Sequence, residues 1–149
     1  MRILCLCLGN ICRSPTGEAV LSAHAARAGL DLEIDSAGTG NWHVGQPPDA
    51  RMQAAALAQG FDLSDQRARQ LAASDFHEFD LILAMDAANL ADARRRVPDG
   101  SRARLVRYLD EAGIGGDVPD PYFEGNFDDV VTLIDRAAGA IIGRISRAP

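Results

Sequence analysis

The stretch Cys7-Leu8-Gly9-Asn10-Ile11-Cys12-Arg13-Ser14 puts a thiol and a guanidinium at the two ends of one short loop. Five residues lie between Cys7 and Arg13, enough for the chain to curl until both face one point. An anion held there would meet outward-pointing backbone N–H groups and the positive end of the helix that follows. Arginine suits phosphate because its planar fork donates two parallel hydrogen bonds. The same surroundings favour thiolate over thiol, so Cys7 reads as a nucleophile aimed at a bound phosphate. Ser14 would steady the thiolate through its hydroxyl. Asn10, tolerant of a left-handed backbone, would hold the curl through side-chain bonds. Displacing an alcohol or phenol from phosphorus also needs a proton for the leaving oxygen. Asp120 is the candidate acid: Pro121 stiffens the turn after it, and Tyr122 and Phe123 offer aromatic walls for a substrate ring. A plain Asp-Pro turn is the alternative. Cys12 lies on the same tight loop and reads as a redox partner, closing a disulfide on an oxidised Cys7; simple packing beneath the loop is its alternative. No metal-ligand cluster is visible, and no metal or other cofactor is expected.

These groups need elements to position them. Arg2 to Leu6 is a short apolar run that reads as a buried strand ending at Cys7. Ser14 reads as an N-cap and Pro15 as first-turn residue of a helix reaching about Ala28, closed by Gly29. Cys5 reads as a small buried hydrophobe, and His24 as a surface or packing residue without a visible partner. Leu32–Ala37 reads as a second strand broken by Gly38 and Gly40, and residues 41–48 as loop. Asp49–Gln59 reads as a helix closed by Gly60. Arg67–Leu71 reads as a connector with solvated arginines. Phe79–Met85 contains a third strand, after which Asp86 caps a helix reaching about Arg96. The run Arg94-Arg95-Arg96 reads as a solvated helix end; a docking patch for an acidic partner is the alternative. Arg104–Leu109 reads as the fourth strand and 110–126 as loop. Asn126 reads as the cap of a last helix, with Asp129 completing a capping box. Strands alternating with helices call for a parallel sheet covered on both faces, a single α/β domain over 1–149, with ligands bound beyond the strands' carboxyl ends.

The chain has 149 residues, 47% hydrophobic and 24% charged, as in an ordinary globular protein. No apolar run is long enough to span a membrane, and the N-terminus leads too directly into the motif to be a signal peptide. Three cysteines do not form a secreted disulfide framework, and a reactive thiol argues for the reducing cytoplasm. The net charge of −6 argues against nucleic acid as a partner. All 15 basic residues are arginine; nothing in the function explains that bias.

The string from Cys7 to Pro15, between strand and helix, resembles the signature of the low-molecular-weight protein tyrosine phosphatase family. Ser36-Ala37-Gly38-Thr39, Trp42-His43 and Asp120-Pro121-Tyr122 resemble that family's further segments. The resemblance implies a flavodoxin-like fold with strand order 2-1-3-4. It implies hydrolysis of phosphotyrosine proteins and small aryl phosphates through a phosphocysteine, with Asp120 as general acid and no cofactor. Phosphate, vanadate and similar oxyanions would inhibit. Trp42 would wall the substrate pocket, with packing on the core as the alternative, and Ser36 would hydrogen-bond the phosphate loop from behind. Gly17 departs from an alanine expected in the family and should weaken the first helix by at most about 1 kcal/mol. Phe123 stands where a second tyrosine is often found. Ile11 sits where related arginine phosphatases carry threonine, which favours phosphotyrosine.

Two rivals differ in chemistry. A thioredoxin-coupled arsenate reductase on this fold would need cysteines beyond Cys12 to relay a disulfide, and the chain has none. A phosphate-binding module without turnover would be expected to lack Cys7 or Asp120, and both are present.

Overall fold

The computed structural model describes residues 1–148. Its centre is a parallel sheet of β1 (Arg2–Cys7), β2 (Glu33–Gly38), β3 (Leu81–Ala84) and β4 (Arg104–Arg107), in the order β2-β1-β3-β4. The strand alternation assigns each face. Ile3, Cys5 and Cys7 of β1 join one core, with the helices α1 (Arg13–Arg27), α2 (Ala50–Ala58) and α7 (Phe127–Arg147). Leu4 and Leu6 join the other, with Phe76 of α3 (Asp75–Glu78) and Ala93 of α4 (Ala87–Arg95). Both faces are therefore covered, which suits a strand whose residues from Ile3 to Cys7 are all buried. Two further short helices, α5 (Tyr108–Glu111) and α6 (Pro121–Glu124), complete the chain.

α7 carries an apolar face: Phe127, Val130, Val131, Ile134, Ala138 and Ile141 are buried. Its start differs from a capping box. Asn126 makes no side-chain cap bond, and its Oδ1 is buried without a partner. α1 also starts differently. Its N-cap position is Cys12, and Ser14 lies inside the helix with its hydroxyl turned to the loop. The fourth strand stops at Arg107 rather than Leu109. Arg107 pairs with Ala84, the last residue of β3, so beyond it β4 has no neighbour to bond. The chain turns into α5, and the buried Tyr108 donates its hydroxyl to the Ile134 carbonyl at 3.0 Å. Asp86 caps α4 as expected, accepting from the Asn89 N–H at 2.7 Å. His24 has a partner after all: it meets Asp135 at 2.6 Å and ties α1 to α7. At Gly17 the place of a methyl group is already taken, since a Cβ would lie 2.6 Å from Met85 Cε and 3.2 Å from Cys5 Sγ.

Two positions at the sheet's carboxyl edge need glycine or asparagine. Gly38 does not break β2 but ends it, paired with Cys7. A Cβ there would sit 2.8 Å from the Leu8 carbonyl oxygen, against the loop's own backbone. Asn10 is the only non-glycine residue with positive φ, at 57°, among those described.

Candidate active site

The loop leaves β1 at Cys7 and enters α1 at Arg13. The Cys7 sulfur is almost wholly buried. It accepts from the Asn10 N–H at 3.3 Å and lies 3.0 Å from Ser14 Oγ. Asn10 explains its strained backbone by the bonds it makes. Its Nδ2 donates to Ser14 Oγ at 2.8 Å and Ser36 Oγ at 3.0 Å, and its Oδ1 accepts from the Arg69 N–H at 2.9 Å. The backbone N–H groups of Leu8, Gly9, Ile11 and Cys12 donate to no protein acceptor among the described residues. Four donors thus remain on one tight turn at a helix start.

Arg13 is buried and anchored by one nitrogen. Its Nη1 donates to Asp86 at 2.7 Å and to the Val118 carbonyl at 3.0 Å. Its Nη2 lies 3.6 Å from Asp120. The Nε–Nη2 edge makes no hydrogen bond among the described residues, which leaves one fork of the guanidinium for a bidentate ligand. Asp86 is the residue sequence reasoning missed: it read there only as a helix cap. Arg69 was missed too. It binds Asp35 at 3.1 Å and the buried Asp75 at 3.0 Å, while its backbone holds Asn10 and the end of β2. The segment around it is thus a brace for the loop, not a run of solvated charges.

A cavity of about 140 Å³ opens over the loop. Cys7, Leu8, Gly9, Ile11, Cys12 and Arg13 line it from the loop, and Trp42, His43, Asp120, Tyr122 and Phe123 from the surrounding segments. Asn10, Ser14 and Ser36 stand behind it as supports. His43 is a further wall: it accompanied Trp42 in the sequence reading but carried no role there. Asp120 is the N-cap of α6, accepting from the Tyr122 N–H at 3.1 Å. Arg51 lies over the Tyr122 ring at 5.3 Å and the Phe127 ring at 4.7 Å, which braces the Asp120 segment against α2 and α7. Trp42 and Phe123 are largely exposed, 68% and 85%, so they form a rim rather than a core.

Behind Ser36 stands Glu18, which accepts from the Ser36 hydroxyl at 2.9 Å. Burial pushes its carboxyl up from 4.5 to about 7, against the stabilising Ser36 bond and with Asp35 adding to the rise. A carboxyl whose folded pKa lies above its unfolded value holds its proton more tightly when folded. Its stabilising contribution is complete below about pH 4.5 and is lost as pH rises through about 7. Glu18→Gln keeps an acceptor for Ser36 and removes the charge. Its melting temperature should therefore gain on wild type between pH 5 and pH 8, by a few degrees on the order expected for a chain of this size. A difference that stays flat across that range would show that Glu18 titrates like an exposed glutamate.

A thiol held against free backbone donors and a guanidinium fork, at the carboxyl edge of a parallel sheet, is the arrangement of a cysteine-dependent phosphatase. A family model described as low molecular weight phosphotyrosine protein phosphatase matches residues 2–148. The low molecular weight protein-tyrosine-phosphatase YfkJ of Bacillus subtilis is 39% identical over 149 residues, covering 97% of this chain and 96% of that protein. The low molecular weight phosphotyrosine protein phosphatase of Schizosaccharomyces pombe is 44% identical over 143 residues, covering 91% of each. The crystal structure of a protein tyrosine phosphatase from Entamoeba histolytica, with Hepes in the active site, matches with a TM-score of 0.91 at 34% identity, covering 97% of this chain and 96% of that one. The chain belongs to the low molecular weight protein tyrosine phosphatase family, and with it to the phosphoric monoester hydrolases. Its sheet order is the flavodoxin-like one that the resemblance implied. Among the described residues no helix is long and apolar enough to cross a membrane.

Proposed function

We propose that this chain hydrolyses phosphotyrosine in proteins, and small aryl phosphates, with Cys7 as nucleophile, Arg13 as phosphate clamp and Asp120 as general acid. The observation that carries the reading is the set of free loop N–H groups around the Cys7 sulfur, with Arg13 and Asp120 lining the same cavity. Loop donors and the Arg13 fork take the three equatorial oxygens of the phosphoryl group. The Cys7 sulfur attacks phosphorus, an S–P bond forms, and the P–O bond to the phenol breaks. Asp120 gives its proton to the departing oxygen. Water then attacks the phosphocysteine, Asp120 takes a proton from it, and the S–P bond breaks to release inorganic phosphate and the thiolate. Ser14 stabilises that thiolate, and Asn10 with Ser36 keeps the loop in shape. Trp42, Tyr122 and Phe123 flank the aromatic ring, and the apolar Ile11 on the cavity wall suits a phenyl group. Phosphate and vanadate inhibit by occupying the loop. The free thiols at Cys5, Cys7 and Cys12 support placement in the reducing cytoplasm, and the acidic net charge supports protein rather than nucleic acid as substrate.

The test is turnover of p-nitrophenyl phosphate and a phosphotyrosine peptide, with the phosphocysteine trapped by acid quench and located by mass spectrometry. Label on Cys7 is expected. Turnover with label elsewhere, or with none, would overturn the mechanism.

Cys12 serves as redox partner of Cys7. Its thiol is buried, and burial together with Asp49 pushes its pKa up. It is therefore slow to oxidise by itself, and its role is to condense with a sulfenic acid formed at Cys7, giving the disulfide and releasing water. Cys12→Ser should keep most of its activity. After peroxide and then dithiothreitol it should recover less than half as much activity as wild type. Equal recovery would leave Cys12 a packing residue.

A further inference from the structure

A second recess, of about 250 Å³, adjoins the first, and the two share Leu8 and Trp42 as a common wall. Thr39, Gly40 and Asn41 from the end of β2 line it, with Gln70, Asp92 and Arg96. We propose that this recess is a subsite for an acidic residue flanking the phosphotyrosine of a substrate polypeptide, with Arg96 as its charge partner. The proposal rests on the phosphatase function above and adds the sequence context that the site selects.

Three observations carry it. Continuity comes first: the two recesses share the Leu8–Trp42 wall, so a chain whose phosphotyrosine fills the first cavity and which crosses that wall enters this recess. Trp42 stands as a ridge against Gly40, where a Cβ would lie 2.0 Å from the indole ring. The polar lining suits a peptide. Gln70 spends its amide N–H₂ on the Thr39 carbonyl at 3.1 Å, which leaves its own carbonyl to accept from a substrate N–H. Charge decides the class of side chain. Arg95 and Arg96 both bind Asp92, at 3.2 Å and 2.9 Å, so two guanidiniums share one carboxylate and positive charge is left over. On a chain of net charge −6, this is a local basic exception beside the site, and it gives the arginine run a role that a solvated helix end would not have.

The experiment compares kcat/KM for phosphotyrosine peptides with Asp or Glu at the two positions on either side, for matched peptides with Asn or Gln there, and for p-nitrophenyl phosphate, which fills only the first cavity. Wild type should prefer the acidic peptides. Arg96→Glu should reduce that preference about fivefold or more, with Arg96→Gln intermediate, while neutral peptide and aryl phosphate keep a constant ratio. Arg94→Glu makes the same charge change without lining the recess and should leave the preference within about twofold of wild type. An unchanged preference in Arg96→Glu, or an equal loss in Arg94→Glu, would overturn the subsite. Failure of the phosphatase reading would look different. Wild type would turn over no phosphotyrosine peptide, before any variant is compared, and the subsite would fall with it.

Discussion

Cys7→Ser should lose on the order of 10⁴-fold or more in turnover of aryl phosphates, as removal of a covalent nucleophile does elsewhere, while its affinity for phosphate or vanadate stays at wild-type level or rises. The two halves of that expectation come from different atoms. Binding rests on the Leu8, Gly9, Ile11 and Cys12 N–H groups and the free edge of Arg13, none of which the substitution touches. Attack rests on the sulfur alone. A serine hydroxyl gives up its proton far less readily than a thiol, and Asp120, which must carry its proton for the leaving oxygen in this step, is not free to take it. Ser14 Oγ, 3.0 Å from the sulfur, is a hydrogen-bond partner and not a proton acceptor of useful strength. Removing the thiolate also removes a negative charge that opposes the incoming oxyanion. Binding can be read directly, since Trp42 is the chain's only tryptophan and lines the cavity. A Cys7→Ser protein that binds vanadate and still turns over p-nitrophenyl phosphate within about 100-fold of wild type would exclude Cys7 as the nucleophile.

What could be read in the sequence and what could not divides by range. Cys7, Arg13 and the loop between them are contiguous, so the motif and its strand–loop–helix setting stand in one line of text. Trp42 and Asp120 were reached through short strings that resemble those of a family. The supports of the site were not legible, because they act across the chain. Asp86 meets Arg13 from 73 residues away, and Arg69 meets Asn10 from 59. Gly38 is needed because its missing side chain makes room for the loop backbone at Leu8, which no local pattern signals. Residue types predicted caps at Ser14 and Asn126, and neither side chain caps its helix: the Ser14 hydroxyl is spent on Cys7 and Asn10, and Asn126 makes no cap bond. The end of β4 was set by the length of its neighbour, not by Tyr108 or Leu109 themselves.

Asp120→Asn should slow hydrolysis of phosphotyrosine by about 10²- to 10⁴-fold, equivalent to about 3–5 kcal/mol of barrier, and the loss should shrink as the leaving group becomes more acidic. A tyrosine phenol has a pKa near 10, so its oxygen needs a proton as the P–O bond breaks. A more acidic phenol carries its own developing charge and needs less help. The plot of phosphorylation rate against leaving-group pKa should therefore be steeper for the variant than for wild type. Asparagine keeps the shape of the side chain and an oxygen to accept the Tyr122 N–H, now at 3.1 Å from Asp120. The cap of α6 and the aromatic rim should survive, so a change in slope reports the proton and not the fold. Single-turnover rates are the measurement, because they separate phosphorylation of Cys7 from the later hydrolysis of the phosphocysteine, which steady-state turnover combines. The structure also narrows the alternatives. Asp86 is committed to Arg13 and the cap of α4. Asp117 binds the Ala87 N–H and Arg107, and neither carboxylate lines the cavity. Parallel slopes for wild type and Asp120→Asn would remove Asp120 from the role of acid and leave the cavity with no second carboxyl among its lining residues, so the proton would have to come from His43, Tyr122 or solvent.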